Sequence, residues 1–151
     1  MNTFFKSIAV LVLASSVALS ADVGTVVQTK DASGPVVKNT FTWTSGTNNF
    51  VLGVGDTYVK GEILRIVFNP SITIAPTGSY TATLKDGSGI DILAGQGALL
   101  ASNTVTTIVP AIRFTDGSVT NVSKVAINDL LTLSATNTGN AKSGQIIIYT
   151  R

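Results

Sequence analysis

The chain has 151 residues, no cysteine and no histidine, and its ten Lys/Arg and eight Asp/Glu residues give a formal net charge of +2. These absences exclude a disulfide framework, a zinc-thiolate site and catalysis by Ser-His or Cys-His pairs. The chain has 44% hydrophobic and only 12% charged residues, whereas disordered proteins have low hydrophobicity and high charge. Its lysines and arginines are scattered along the chain and do not indicate a nucleic-acid partner.

The N-terminal segment, residues 1–20, has the three-part pattern of a secretory signal peptide. Lys6 precedes an apolar run from Ile8 to Leu19, and the predicted cleavage follows Ser20. The run has roughly 12 residues, fewer than the roughly 20 that span a bilayer as a helix. Two other interpretations stay open, a short membrane anchor and a hydrophobic arm buried in an assembly. The predicted domain organisation is residues 1–20 followed by one domain over 21–151.

From residue 21 onward, β-branched and alternating runs are separated by clusters of Gly, Asn, Asp and Ser, as in strands joined by turns. About eight to ten strands at this spacing predict an all-β fold, an antiparallel β-sandwich of the jelly-roll type. In chain order the predicted strands cover residues 22–30, 36–44, 49–52, 57–68, 80–85, 90–93, 105–114, 119–127, 130–137 and 145–151.

Two strands carry specific expectations about burial. In 36–44, Phe41 and Trp43 share one face, so Trp43 is predicted to lie in the core between the sheets. In the last strand, Ile146 to Ile148 are consecutive, whereas a half-exposed strand would alternate. We predict that Ile146 and Ile148 face the core and that Ile147 faces a neighbouring subunit, which makes Ile147 the candidate interface residue. The alternative is that loops of the same domain cover it.

Acidic residues give little indication of chemistry. Glu62 is the only glutamate, and the seven aspartates fall mostly in predicted turns, where Asp bonds its own backbone. The segment from Asp86 to Asp91 resembles the start of a calcium loop but lacks the late glutamate of that loop. It is predicted to be a hairpin turn, although a structural cation, if one binds, is expected at Asp86 and Asp91. The sequence therefore predicts no catalytic residue, no cofactor and no metal site.

Three segments carry a combination of motifs: 61–68 running into 75–93, then 94–100, then 126–151. The motifs are a GEIxR strand, an APTxxYxxTLxDxxGxDxL hairpin and a C-terminal LTLxxxNxGNAKxGx[IV]x[IV]YxR. In this order they make roughly residues 40–151 similar to a family of small virion structural proteins of tailed bacteriophages, of the capsid cement or decoration type. The matching residues include Gly61, Glu62, Arg65, Pro76, Tyr80, Leu84, Asp86, Asp91, Leu93, Asn137, Gly139, Asn140, Ala141, Gly144, Tyr149 and Arg151.

The resemblance implies a non-enzymatic jelly-roll protein of the virion that stabilises the phage shell. Its implied partners are the major capsid protein or another virion protein, and further copies of itself in a homo-oligomer. The signal-peptide pattern departs from this family, because a coat protein assembled in the cytoplasm needs no export. The alternative is a secreted or periplasmic β-sandwich, released after cleavage following Ser20, that binds a ligand or builds a surface layer. A membrane contact is expected only through residues 1–20, if these are not cleaved.

Overall fold

The computed structural model describes residues 22–116 and 119–151, and the predictions for residues 1–20 fall outside this part of the chain. The described residues form strands and turns without a helix, so the all-β prediction is confirmed. The eleven strands found there are β1 (Thr25–Asp31), β2 (Val37–Thr44), β3 (Phe50–Val54), β4 (Val59–Pro70), β5 (Thr81–Lys85), β6 (Thr106–Ile108), β7 (Ala111–Asp116), β8 (Val119–Lys124), β9 (Ala126–Asp129), β10 (Thr132–Thr136) and β11 (Ser143–Thr150).

The strands form a larger and a smaller sheet and a separate ribbon. The larger sheet has six strands in the order β1-β2-β11-β4-β6, and β9 pairs with the first part of β4. The smaller sheet has the order β3-β10-β5, and β7 pairs with β8 as a two-stranded ribbon. Every pairing is antiparallel, which is consistent with a β-sandwich.

One hydrophobic core lies between the larger and the smaller sheet. Period-two alternation turns Phe41 and Trp43 of β2 inward while Thr42 and Thr44 stay exposed. Trp43 is only 1% exposed, which confirms its predicted position, and its ring lies 5.6 Å from that of Tyr80. The smaller sheet contributes buried residues such as Leu84 of β5, Leu133 of β10 and Val51 of β3 to the same cluster.

Two predicted strands are each divided in the structure. The 105–114 stretch is interrupted at Val109-Pro110, where proline has no N–H to donate to a ladder, and it becomes β6 and β7. The 119–127 stretch is interrupted at Val125, which is buried, and it becomes β8 and β9. These divisions raise the number of strands above the eight to ten expected.

The strand predicted over 90–93 is wrong. Asp91 makes only an isolated bridge to Lys85, and Ile92 and Leu93 lie in the turn that follows. The Asp91 carboxylate accepts backbone hydrogen bonds from Leu84 at 3.1 Å, Leu93 at 3.2 Å and Gly95 at 3.2 Å. A side chain that satisfies three N–H groups makes the turn more favourable than a strand ladder, and Leu93 still reaches the core.

Candidate interaction surface

The outer face of the larger sheet carries the candidate interface residue. Ile146 and Ile148 are fully buried in the core, so Ile147 between them points to the opposite side of β11. It lies directly opposite Thr40 of β2 and Val67 of β4. We call the side chains on this side of β1, β2, β11 and β4 the outer face.

Strand register arranges the outer face in rows. The isoleucine row runs Thr29, Thr40, Ile147, Val67 across β1, β2, β11 and β4. The row beside it, which we call the polar row, is also uncharged and runs Val27, Thr42, Gln145, Asn69.

Ile147 is only 9% exposed although it lies on the outer face. Cross-strand neighbours stand within about 5 Å of one another, and Ile147 has one on each side, Thr40 and Val67. A partner subunit and loops of the same domain are the two covers expected for Ile147, and the structure places Thr40 and Val67 on either side of it. A partner above Ile147 stays a prediction.

The third row of the outer face is charged. It runs Asp31, Lys38, Tyr149, Arg65 in the same strand order. The Arg65 guanidinium lies 4.3 Å from the centre of the Tyr149 ring, a cation–π contact that holds the arginine above the sheet. Hydrogen bonds from Ser33 and the nearby Lys38 ammonium lower the pKa of Asp31, so this carboxyl is ionised at neutral pH.

Gly61 and Glu62 of the GEIxR motif lie at the beginning of β4 and contact Arg151, the last residue of the C-terminal motif. Gly61 has a φ of +109°, and a Cβ on it would overlap the carbonyl oxygen of Arg151. The Glu62 N–H donates to the Arg151 carbonyl at 2.9 Å, and the Arg151 N–H donates to the Glu62 carbonyl at 3.1 Å. The Glu62 carboxylate accepts a hydrogen bond from Lys124 and lies 3.7 Å from the Arg151 guanidinium, contacts that lower its pKa.

The aspartates of the hairpin motif organise turns. Asp86 accepts hydrogen bonds from the N–H groups of Ser88 and Ile90, each at 2.9 Å. Asp91 accepts the three backbone bonds described above. Within the described ranges, no three His, Cys, Asp or Glu side chains are grouped so that they would hold a metal ion. The turn chemistry predicted for this segment therefore accounts for both carboxylates.

The C-terminal motif shapes the turn before β11 and the packing on Trp43. Asn137, Gly139 and Ala141 all have positive φ, a conformation that favours Asn and Gly at such positions. Ser45 stabilises this turn with two hydrogen bonds. Its hydroxyl donates to the Gly139 carbonyl and accepts from the Lys142 N–H at 2.9 Å. Gly144 lies against the indole, and a Cβ there would lie 2.7 Å from Trp43 Cζ2.

A mainly apolar cavity of about 900 Å³ lies beside the 86–97 turns. Asp86 and Asp91 are at its wall, and both carboxylates are already bonded to backbone N–H groups. Among the lining residues that the structure describes there is no lysine, arginine, serine or threonine. Its other lining residues are Ile90, Ile92, Ala94, Gln96, Val109, Ala111, Val125, Ala126 and Ile127.

Comparison with known proteins gives no match: no family model, no curated protein and no solved structure is similar to this chain. In the part of the chain that the structure describes, no helix is long and apolar enough to cross a membrane.

Proposed function

We propose that this protein is a non-enzymatic virion structural protein, of the capsid cement or decoration type, that stabilises a phage shell through subunit contacts. The observation that carries the proposal is the outer face, with two uncharged rows around Ile147 beside one charged row. Uncharged surface loses less hydration when it is buried against another protein, and interface cores are depleted in charged residues. The partners are the major capsid protein or another virion protein, and copies of the same chain.

The positions of the motif residues support this proposal. Tyr80, Leu84 and Leu93 lie in the core, Gly139 and the two aspartates shape backbone turns, and Gly61 provides a positive φ within β4. None of these roles depends on a substrate. Core and backbone-shaping positions such as these are what members of a family of structural proteins share, because they share a fold rather than an active site. Two further motif residues, Arg65 and Tyr149, lie on the outer face.

The jelly-roll topology is part of the same proposal. In the larger sheet, the last strand, β11, lies between β2 and β4. Such long-range insertion of a late strand between early ones is a feature of Greek-key folds, from which jelly rolls are built. A jelly roll has eight strands in two sheets, whereas the sheets here have six and three strands. Two of the six, β6 and β9, are short strands that pair only with β4.

The deciding experiment locates the protein in particles. Virions produced from the genome that carries this gene are purified, and the chain is quantified against the major capsid protein by mass spectrometry. We expect a fixed stoichiometry, and we expect particles that lack the protein to release their DNA at a lower temperature. Particles without the chain, or with traces that further purification removes, would contradict the proposal.

Two variants test whether the outer face makes the contact. Ile147→Asp places a charge in the centre of the outer face and should remove the protein from particles. The control for the added charge is Leu52→Asp on the smaller sheet, where Leu52 is 46% exposed and Ile147 only 9%, and this variant should still be incorporated. Circular dichroism of both proteins checks that they fold. Incorporation of a folded Ile147→Asp protein would exclude this face as the contact.

The second candidate function is a secreted or periplasmic β-sandwich that binds a ligand or builds a surface layer. The signal-peptide pattern of residues 1–20 favours it. The mass of the protein isolated from cells distinguishes the two candidates when combined with the particle analysis. A chain that starts at Ala21, is found outside the cytoplasm and is absent from virions would support the second candidate.

A further inference from the structure

We infer that the outer face binds the outer face of a second copy of this chain in a two-fold symmetric dimer. The inference rests on the proposed function in one respect, that this face is a subunit contact. The partner on this face is a second copy of the same chain. Four strands and three rows define the contact, and their charges determine how two copies fit.

The two-fold axis is parallel to the strands and passes between β2 and β11. Rotation about this axis keeps each row at its height and reverses the order of the strands. Each row therefore meets the same row of the other copy in reverse order. An isologous contact of this kind must be self-complementary.

The charged row is self-complementary about this axis. Asp31 on β1 faces Arg65 of the partner subunit, and Arg65 on β4 faces Asp31 of the partner subunit. Lys38 faces the partner subunit's Tyr149 rather than a lysine or arginine. The Tyr149 ring of the same copy already holds Arg65, so less side-chain freedom is lost when the ion pair forms.

Other axes fit the charges less well. An axis through β2 places Lys38 against Lys38, and an axis through β11 places Lys38 against Arg65. An axis between β1 and β2 pairs Asp31 with Lys38 but leaves Tyr149 and Arg65 outside the contact. An axis across the strands at the charged row places Lys38 against Lys38. At another height it brings the charged row against uncharged side chains, where its ions would lose hydration without gaining partners.

The isoleucine row meets at the centre of the dimer. Thr40 faces the partner subunit's Ile147 on one side of the axis, and Ile147 faces the partner subunit's Thr40 on the other. Thr29 and Val67 face each other further out. Apolar contacts at the centre and charges at one border match the usual anatomy of an interface.

The contact is small. Three rows of four residues give twelve positions per copy, compared with roughly 20–30 residues a side in a standard interface. The dimer should therefore be weak in solution and gain strength when a shell holds many copies close together.

The test uses charge reversal and sedimentation velocity over a concentration series, on the protein as the producing cell yields it. The wild type should dimerise reversibly. Asp31→Arg places two arginines opposite each other, and Arg65→Asp places two aspartates opposite each other. Each variant alone should raise the dimer dissociation constant by about tenfold or more.

Combining the two charge reversals tests whether Asp31 and Arg65 face each other across the dimer. An equimolar mixture of the Asp31→Arg and Arg65→Asp proteins should form a heterodimer, because one ion pair then keeps its native polarity and the other is restored with reversed polarity. The double variant should form a homodimer again. Lys85→Glu, on the smaller sheet, is the matched control and should dimerise like the wild type.

Crosslinking supplies a measurement that does not depend on charge. The chain has no cysteine, so a short bismaleimide should join Asp31→Cys protein to Arg65→Cys protein in a mixture, and neither variant to itself. A monomeric wild type at every concentration would overturn the inference. A dimer that both charge reversals leave unchanged would overturn it as well.

The particle analysis separates this inference from the proposed function. A chain that is monomeric in solution and after crosslinking but is present in virions would refute the dimer and leave the function standing. A charge-dependent dimer that is absent from virions would support the dimer and refute the function.

Discussion

The carbonyl oxygen of Arg151 occupies the space that a side chain at Gly61 would fill. Gly61 has a φ of +109°, in a region that other residues rarely adopt, and it lies where β4 changes partner from β9 to β11. The close approach allows the reciprocal backbone bonds between Glu62 and Arg151. One glycine thus connects the end of the chain to the beginning of the longest strand.

Gly61→Ala should destabilise the domain by about 1–3 kcal/mol, the usual cost of a strained backbone conformation, because alanine adds a clash to an unfavourable φ. Urea unfolding followed by circular dichroism measures the change. Gly78→Ala is the control, since Gly78 has no positive φ and a Cβ there meets nothing within 4 Å. Equal midpoints for the two variants would show that the Arg151 contact contributes nothing.

Trp43→Ala should cost about 3–5 kcal/mol, as for other buried aromatic residues. Trp43 is 1% exposed and packs on Tyr80 and Gly144. Its indole N–H has no hydrogen-bond partner among the described residues, so Trp43→Phe should cost much less than Trp43→Ala. The wild-type fluorescence should be blue-shifted, and emission like that of indole in water would contradict the buried position.

Tyr80 should make the protein sensitive to alkaline pH. Burial raises its pKa from 10.0 to about 12. Because the folded value is above the unfolded one, stability is complete below pH 10 and is lost as the pH rises from 10 to about 12. Tyr80→Phe should lose less stability over that interval, measured as the melting temperature against pH. Identical alkaline profiles for the two proteins would exclude Tyr80 as the cause.

A chelator should leave the melting temperature unchanged, because the Asp86 and Asp91 carboxylates bind backbone N–H groups. Asp91→Ala should lower stability by about 1–3 kcal/mol, since it leaves N–H groups unsatisfied near the core. Thermal unfolding with and without chelator measures both effects. A drop in the wild type beyond the roughly 4–8 °C that 1 kcal/mol produces in a small domain would reveal a structural cation.

Local alternation of polar and apolar residues predicted most strands and the side chains that share a face. It could not predict the features that depend on pairing between distant strands. Phe41 and Trp43 were placed correctly because one strand's period fixes which side chains share a face. The 90–93 strand was wrong because the Asp91 side chain competes with the ladder, which hydrophobicity does not reveal.

The charged row could not be predicted from the sequence. Asp31, Lys38, Arg65 and Tyr149 become neighbours only through the register of four strands that are far apart in the chain. The placement of Thr40 and Val67 on either side of Ile147 has the same origin. Residue patterns show which side chains point outward, but only the pairing shows which of them meet.

The central place of β11 in the larger sheet has a consequence for biosynthesis. Residues 143–150 separate β2 from β4, so the sheet cannot close while they are still within the ribosome. Until then, the edges of β2 and β4 that pair with β11 have no partner strand. A chain dominated by pairings between distant strands also folds slowly. The larger sheet therefore closes only after residues 143–150 have been synthesised and have left the ribosome, and until then a chaperone, an export machine or a neighbouring copy can bind the unfinished chain.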